Sequence, residues 1–388
     1  MSDRILVIGA GLSGATVARV LAEAGFTVEV QEQEEHPGGH CHTYRDTPTG
    51  VMVHAHGPHI LHSDNESVWA FVDRFAVMRP YAHCVRAVTG DRTYPLPITL
   101  DTINQFFGRE FDAAQAKAHL SGLARRYPTP PRNFEEQGRN LLGDALYEAF
   151  FRDYTRKQSG VAPACLPASI MRRIPVRFNK DPSYFHHARV AIPEDGYTAM
   201  IEAILEHENI KLSYGVSGTP QLSDAFRHTV YTGPIDAWFD CRFGRLGYRT
   251  LDFDVRRQTG THQQVAQINY CDMSVPWTRI TEHKHFAPWE HHDSTVYVTE
   301  TSRDCEPNDI PYYPLRLAGD EPRLQRYLEA AKATVGTSFT GRLATYRYID
   351  MDVAIAEALN AGGQIATALQ SGQDPPAFFT AADDKASS

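Results

Sequence analysis

The sequence predicts an α/β protein, and three observations carry that prediction. A short apolar run near the N-terminus passes through spaced glycines into a helical pattern. Helical periodicity then fills residues 99 to 154, and β-rich runs recur between residues 247 and 300. The first observation says most. Ile5-Leu6-Val7-Ile8 reads as a buried parallel strand, and Gly9, Gly11 and Gly14 follow in Gly-x-Gly-x-x-Gly spacing. One glycine permits the tight turn, one lets the backbone approach a pyrophosphate, and one lets the next helix pack against the strand. The helix from about Ser13 to Ala24 points its free N–H groups at the phosphates. Gly25 ends it, and Phe26 to Gln31 alternates as a second strand. Glu32 closes that strand at the distance where a carboxylate accepts both hydroxyls of an adenosine ribose. Gly9, Gly11, Leu12, Ser13, Gly14, Glu32 and Gln33 are therefore candidate cofactor contacts of a Rossmann-like domain. A purely structural glycine turn is the lesser alternative.

The next stretch narrows the cofactor. Glu34-Glu35-His36-Pro37-Gly38-Gly39-His40 places a second glycine pair just past the ribose acid. It resembles the extended fingerprint of FAD proteins, in which paired glycines let the chain pass close to the cofactor. That resemblance favours FAD over NAD and adds Gly38, Gly39 and His40 to the candidate contacts.

The totals bound the rest. A chain of 388 residues with 42% hydrophobic content has enough apolar material for two or three domains. The first residues carry no leader pattern, and no apolar run approaches a membrane span of about 18 residues, so neither export nor a membrane is expected. The six cysteines are scattered without a Cys-x-x-Cys pair, which suits reduced thiols in a cytoplasm. A net charge of −9 argues against nucleic acid as a partner, while a few local arginines suffice for an anionic small substrate.

Along the chain, Val51 to His62 alternates as a strand, breaks at Gly57-Pro58 and carries four histidines, His54, His56, His59 and His62. No nearby acid completes a ligand set, so a loop lining a cofactor, or satisfied core histidines, is preferred to a metal site. Asn65 to Val77 reads as a helix with Trp69, Phe71 and Phe75 on one face. The helical pattern from Thr99 to Tyr154 is broken at Tyr127 to Pro131. Met171-Arg172-Arg173-Ile174-Pro175-Val176-Arg177-Phe178 is either a solvated basic loop or a mobile arm carrying arginine to a phosphate. Val230 to Pro234 reads as a strand returning to the first sheet. Val265 to Tyr270 and Ser294 to Thr299 fit an antiparallel sheet. Near the end, Gly341-Arg342 precedes an apolar helix from Val353 to Leu359, and the tail from Ser371 reads as disordered.

These motifs, in this order, resemble the flavin-dependent UDP-galactopyranose mutases over about residues 3 to 360. The matching stretches are Gly9 to Gly14, Gly57-Pro58-His59 with His62, Tyr154 to Gln158, Arg173 to Phe178, Tyr231 to Asp236, Arg279 to Phe286, Tyr312-Tyr313-Pro314 and Gly341 to Ala344. The resemblance implies a discontinuous FAD-binding Rossmann-like domain, a helical-bundle lobe and an antiparallel β-sheet substrate domain. The divisions expected are 1–78 and 311–370 for the FAD domain, 79–180 for the lobe with its mobile loop, 181–310 for the sheet domain with an FAD-domain segment returning near 192–240, and a tail at 371–388. It also implies a homodimer acting on a nucleoside-diphosphate sugar, most simply a UDP-sugar. The chemistry implied is a redox-neutral pyranose–furanose interconversion on reduced FAD. Flavin N5 attacks the anomeric carbon, and the ring opens through a flavin–sugar iminium and recloses.

Site roles follow from the same resemblance. Arg173 and Arg279 hold the diphosphate, and Tyr184, Tyr313 and Tyr348 contact its phosphates. Tyr154, with Phe150 and Phe151, forms the platform for the base, and Asn269 joins the substrate contacts. Without the resemblance those aromatics read as core. His62 and His59 stand beside the flavin, with Ile60 next to them. Asp350 keeps an acid near the cofactor beside Met351, and Gly341 with Arg342 fits phosphate.

Three positions depart from the pattern. Ser159 replaces a tryptophan at the sugar pocket, His83 an asparagine, and Leu61 an aromatic. Ser159 leaves either a large space or a new hydrogen-bond donor. One placed polar group changes specificity strongly, so the reaction expected is that of UDP-galactopyranose to UDP-galactofuranose or of a variant sugar: a deoxy-sugar, an N-acetyl sugar or another configuration. The alternatives are an FAD amine oxidase or desaturase on the same domain, and a non-catalytic nucleotide-sugar binding protein.

Overall fold

The computed structural model describes residues 4–172, 176–317 and 319–379. Its first layer is a five-stranded parallel sheet in the order Ile210–Ser213, Thr27–Gln31, Arg4–Ile8, His228–Tyr231, Thr337–Phe339. The strand Arg4–Ile8 is central because both its faces are apolar. Ile5 and Val7 enter one core, and Leu6 and Ile8 enter another on the opposite face. Helix Leu12–Glu23 covers the first face and packs on helix Met351–Gln370. Gly362 permits that approach, since a Cβ there would lie 2.8 Å from Val20. The strands come from three separate stretches of chain, as expected of a discontinuous domain.

The second layer has seven strands, in the order Tyr313–Pro314, Tyr248–Thr259, Ser294–Asp304, Arg279–Glu282, Gln267–Tyr270, Val85–Thr89, Arg92–Leu96. It is antiparallel except where Gln267–Tyr270 runs parallel to Val85–Thr89. The hairpin 85–96 therefore belongs to this sheet and not to the helical lobe, whose expected boundary at residue 79 is too early. Alternating burial along Val85–Thr89 and the turn at Gly90 select the strand.

The helical lobe comprises Leu100–Phe107, Ala113–Leu123, Phe134–Tyr147, Asp153–Ser159 and Ala168–Arg172. Capping boxes at Thr99 and Asp112 start the first two helices. Gly143 (φ +76°) interrupts the third, and Glu148–Arg152 forms a π-helical turn. A three-stranded sheet in the order Leu61–Ser63, Arg189–Pro193, Met78–Pro80 packs on the first core through Leu61, Ala191 and Ile192.

Two further readings change. The helix expected at 65–77 ends at Val72, and the chain turns through 73–77 into the short strand. The tail is ordered through residue 379: Ala377 O accepts from Phe339 N, and Phe378 packs on Phe339 at 5.6 Å. Two consecutive phenylalanines give that segment an apolar anchor that its polar neighbours conceal. Residues 380–388 lie outside the described residues. Among the described residues no helix is long and apolar enough to cross a membrane.

Candidate active site

One cavity of about 1370 Å³ is lined by both large sheets. At one end the turn after Arg4–Ile8 forms a cradle that a side chain would fill. A Cβ at Gly14 would lie 2.0 Å from Gly9 O, and one at Gly39 would lie 3.2 Å from the Gly11 Cα. Helix Leu12–Glu23 begins at Gly11 with no side-chain cap and no acid in its first turn, so its N–H groups face the cavity unneutralised. The buried Glu32 carboxylate accepts from Ala10 N at 2.7 Å and from Glu34 N at 3.1 Å, which aims it along the cavity wall. Gly38 N donates to Ala10 O at 2.9 Å and so brings the second glycine pair beside the first. Leu12, Ser13, Gln33, His40, His59, Ile60, Gly341, Arg342, Asp350 and Met351 line the same space. This donor set and its glycine-walled floor fit a dinucleotide of FAD type.

At the other end stand Arg279, Tyr184, Tyr313, Tyr348, His62 and His83. The Arg279 side chain, 19% exposed, pairs with the buried Glu300 at 2.7 Å. Burial opposes its charge, but the Glu300 carboxylate outweighs that and raises the guanidinium's pKa. Gly57 (φ +85°) passes directly over this pair, where a Cβ would meet the guanidinium at 3.0 Å. That contact explains the Gly57-Pro58 break. Arg342 spans the two ends. It donates to His40 Nδ1 at 2.6 Å and lies 5.7 Å from the Tyr313 ring, which is itself 5.8 Å from Tyr348.

The histidines form a positioning chain. His54 N donates to His283 Nδ1 at 3.2 Å, His59 N donates to His54 Nδ1 at 3.2 Å, and His59 Nδ1 contacts Gly57 O at 2.9 Å. Burial pushes His54, His59 and His283 each down to about 3, so all three act as neutral rings. His283, within the Glu-His-Lys-His-Phe block, thus sets the loop that carries His59. Among the described residues no group of His, Cys, Asp or Glu is arranged to hold a metal ion.

The remaining expected substrate residues do not line this cavity. Phe150 is in the lobe core, 5.3 Å from Tyr94 and 5.7 Å from Phe106, and Phe151 is buried beside it. The π-helical turn rotates both inward. Tyr154 borders the same core, with Arg279 near enough to oppose the effect of burial on its hydroxyl. Asn269 lies opposite Arg279 in the sheet, and its Oδ1 accepts from Gln267 Nε2 at 2.8 Å. The hydroxyl of Ser159 donates to Thr155 O at 2.7 Å within its own helix. It is no donor toward a sugar. Leu61 is a buried core residue, so of the three departures only His83 reaches the cavity. Arg173 lies outside the described residues. Just beyond it, the buried Arg177 donates to Asp181 O and Ser183 O and contacts His186, which braces the loop bearing Tyr184.

His56, in the loop expected to line a cofactor, does line the cavity, and His36, His42, Phe185 and Gln267 join it with no role expected of them. His36 and His42 stack at 3.4 Å, and His56 Nδ1 meets Tyr312 OH at 2.7 Å. For His36 and His42 the density of histidine between residues 36 and 62 is the sequence signal, and Phe185 and Gln267 have none.

A family model described as UDP-galactopyranose mutase matches residues 149–348, and one described as an NAD(P)-binding Rossmann-like domain matches residues 7–75. A probable UDP-galactopyranose mutase of Klebsiella pneumoniae is 46% identical over 377 residues, covering 97% of this chain and 98% of the relative. A dTDP-fucopyranose mutase of Escherichia coli is 42% identical over 364 residues, covering 92% and 97%. The fold matches a crystal structure of reduced UDP-galactopyranose mutase with a TM-score of 0.73 at 17% identity, covering 94% of this chain and 95% of that one. Near-full-length identity to mutases sets aside the oxidase and the non-catalytic alternatives. The chain is an isomerase belonging to the UDP-galactopyranose mutase family.

Proposed function

We propose that this enzyme interconverts the pyranose and furanose forms of a nucleoside-diphosphate sugar on reduced FAD. The observation that supports the reading is the continuity of the cavity. A glycine-walled dinucleotide cradle runs without a partition into a corner holding one paired arginine and three tyrosines. When bound, reduced FAD supplies the nucleophile N5 for the anomeric carbon. The FAD contacts are Gly9 to Gly14 for the pyrophosphate and Glu32 with Gln33 for the adenosine. Gly38 to His40, His59, Ile60, Gly341, Arg342, Asp350 and Met351 complete the set. Arg279 clamps the sugar nucleotide's diphosphate as substrate and as leaving group, aided by Tyr184, Tyr313, Tyr348 and Arg173. The phenols donate without adding charge. Tyr154, Phe150 and Phe151 form the base-side wall on this reading, which requires the lobe to adjust on binding.

The sugar is one other than galactose. His83 supports this, since its ring lines the cavity, and burial together with Arg279 pushes it down to about 3. Neutral imidazole presents hydrogen-bonding groups different from those of an amide. The test is a panel of UDP-, dTDP- and GDP-sugars given to protein reduced with dithionite, with products separated by chromatography. One sugar should convert to its furanose only when the flavin is reduced. UDP-galactose emerging as clearly the best substrate would refute the altered specificity, and no conversion across the panel would refute the mutase reading. On the family resemblance we also propose a homodimer, giving twice the chain's 43.5 kDa in light scattering. The six free cysteines suit a cytoplasmic location.

A further inference from the structure

The cavity wall contains a histidine pair of which only His62 has an expected role. His62 Nδ1 and His187 Nδ1 are 3.0 Å apart, with ring centroids at 4.7 Å. His62 lines the cavity, while His187 is half-buried behind it and does not. The pair is held from several sides. Phe185 stacks on His62 at 4.0 Å, and the strand Leu61–Ser63 pairs with Arg189–Pro193 so that His62 faces Val190. Ala188 N donates to Asp64 Oδ1 at 2.7 Å, and Ser63 Oγ donates to Asp352 Oδ2 at 2.8 Å. The charged groups facing the pair are Asp350 and Asp352 at the start of the last helix, and Asp64.

Two nitrogens at this distance share one proton, so one ring donates and the other accepts. The Nε2 of each ring has no hydrogen-bond partner among the described residues. That of His62 is the nitrogen left to the cavity, and that of His187 is left to the far side. A proton taken from one end is therefore replaced at the other, and each ring keeps a single N–H before and after the transfer.

We infer that His62 and His187 form a proton relay between the sugar and solvent, with His187 as a positioning and proton-supplying residue. The inference rests on the mutase reading. Interconverting a pyranose and a furanose moves one proton each way. The ring oxygen gains a proton as its bond to the anomeric carbon breaks, and the hydroxyl that forms the new ring loses one. His62 Nε2–H gives its proton to the ring oxygen, while His62 Nδ1 takes the shared proton from His187, whose Nε2 takes one from water. Reclosure runs the three transfers backwards, so nothing is consumed. Asp350 and Asp352 offset the charge while the proton is in transit.

The test compares His187→Ala and His187→Gln with the wild type, all in flavin-loaded form. Glutamine still donates to His62 Nδ1 and fixes its tautomer, but it cannot pass a proton on. Both variants should lose about 100-fold in kcat with KM changed less than threefold, and added imidazole should restore part of the alanine variant's rate. Recovery of wild-type kcat by His187→Gln would mean that His187 only orients His62, and would overturn the relay. The second readout needs no turnover. In ¹⁵N NMR of the flavin-loaded protein, His62 and His187 should titrate as a coupled pair, and His187→Gln should leave a single simple titration. Two independent titrations in the wild type would overturn the relay even if no sugar is converted. Absence of turnover in the wild type would instead count against the mutase reading.

Discussion

Arg279 shows how one side chain is prepared for its ligand. It stands on a strand, under a glycine whose missing side chain makes room for its guanidinium, and against a buried carboxylate that keeps it charged. Pairing with Glu300 leaves N–H groups for a diphosphate. Arg279→Lys keeps the charge and the pairing but loses the planar fork. We expect kcat/KM to fall about 100-fold or more in steady-state assays with the preferred sugar, at an unchanged melting temperature. A loss of less than threefold would show that Arg279 does not clamp the substrate. Ser159 teaches the converse. A polar replacement at a position matched to a sugar pocket invites a specificity role, yet its hydroxyl is satisfied four residues back along its own helix.

The strand–turn–helix unit at the N-terminus is the element on which the cofactor depends. Helix Leu12–Glu23 can sit against the strand only because position 14 lacks a side chain. In Gly14→Ala the added methyl would meet a carbonyl oxygen, and the helix would move off the phosphate position, an overpacking cost of about 1–3 kcal/mol. The purified variant should be nearly colourless, with its 450 to 280 nm absorbance ratio several-fold below wild type. Full flavin content in this variant would show that the cradle does not hold the pyrophosphate. The helical lobe behaves differently. Its helices are specified by caps and periodicity, but Gly143 and the π-helical turn at 148–152 decide which way Phe150 and Phe151 face.

Across the whole molecule, acid sensitivity should trace to the buried Glu282. Burial pushes its carboxyl up, but hydrogen bonds from His285 and from the backbone N–H groups of His262 and Gln263 outweigh that and hold it at about 2. His285 is raised by its bond to Glu282, against burial. A carboxyl lowered on folding stabilises the fold above its unfolded pKa, and that contribution disappears as pH falls through the folded one. A histidine raised on folding stabilises below its unfolded pKa and stops doing so as pH rises past the folded one. The pair therefore favours the window from about pH 5 to about pH 6.5. The melting temperature should decline from about pH 5 toward pH 2, and Glu282→Gln should be less stable at pH 6 with a shallower acid decline. An acid limb of unchanged slope in that variant would assign the sensitivity elsewhere.

The sequence by itself determined the parts whose physics is local. A strand, a glycine turn, a helix and an acid lie within about thirty consecutive residues, so the dinucleotide cradle was legible without neighbours. The lobe's helices were legible through periodicity, and the arginine, tyrosine and histidine positions of the cavity through the family resemblance alone. Only the tertiary structure decided what depends on residues distant in sequence. The hairpin 85–96 found its sheet partner at 267–270, and the phenylalanines at 378 and 379 anchored a segment that composition alone assigns to solvent. Tertiary contacts made His83 the one departure to reach the cavity, and they set His62 against His187. Motifs specify backbone shape over a few residues, whereas the direction of a side chain is fixed by whatever packs against it.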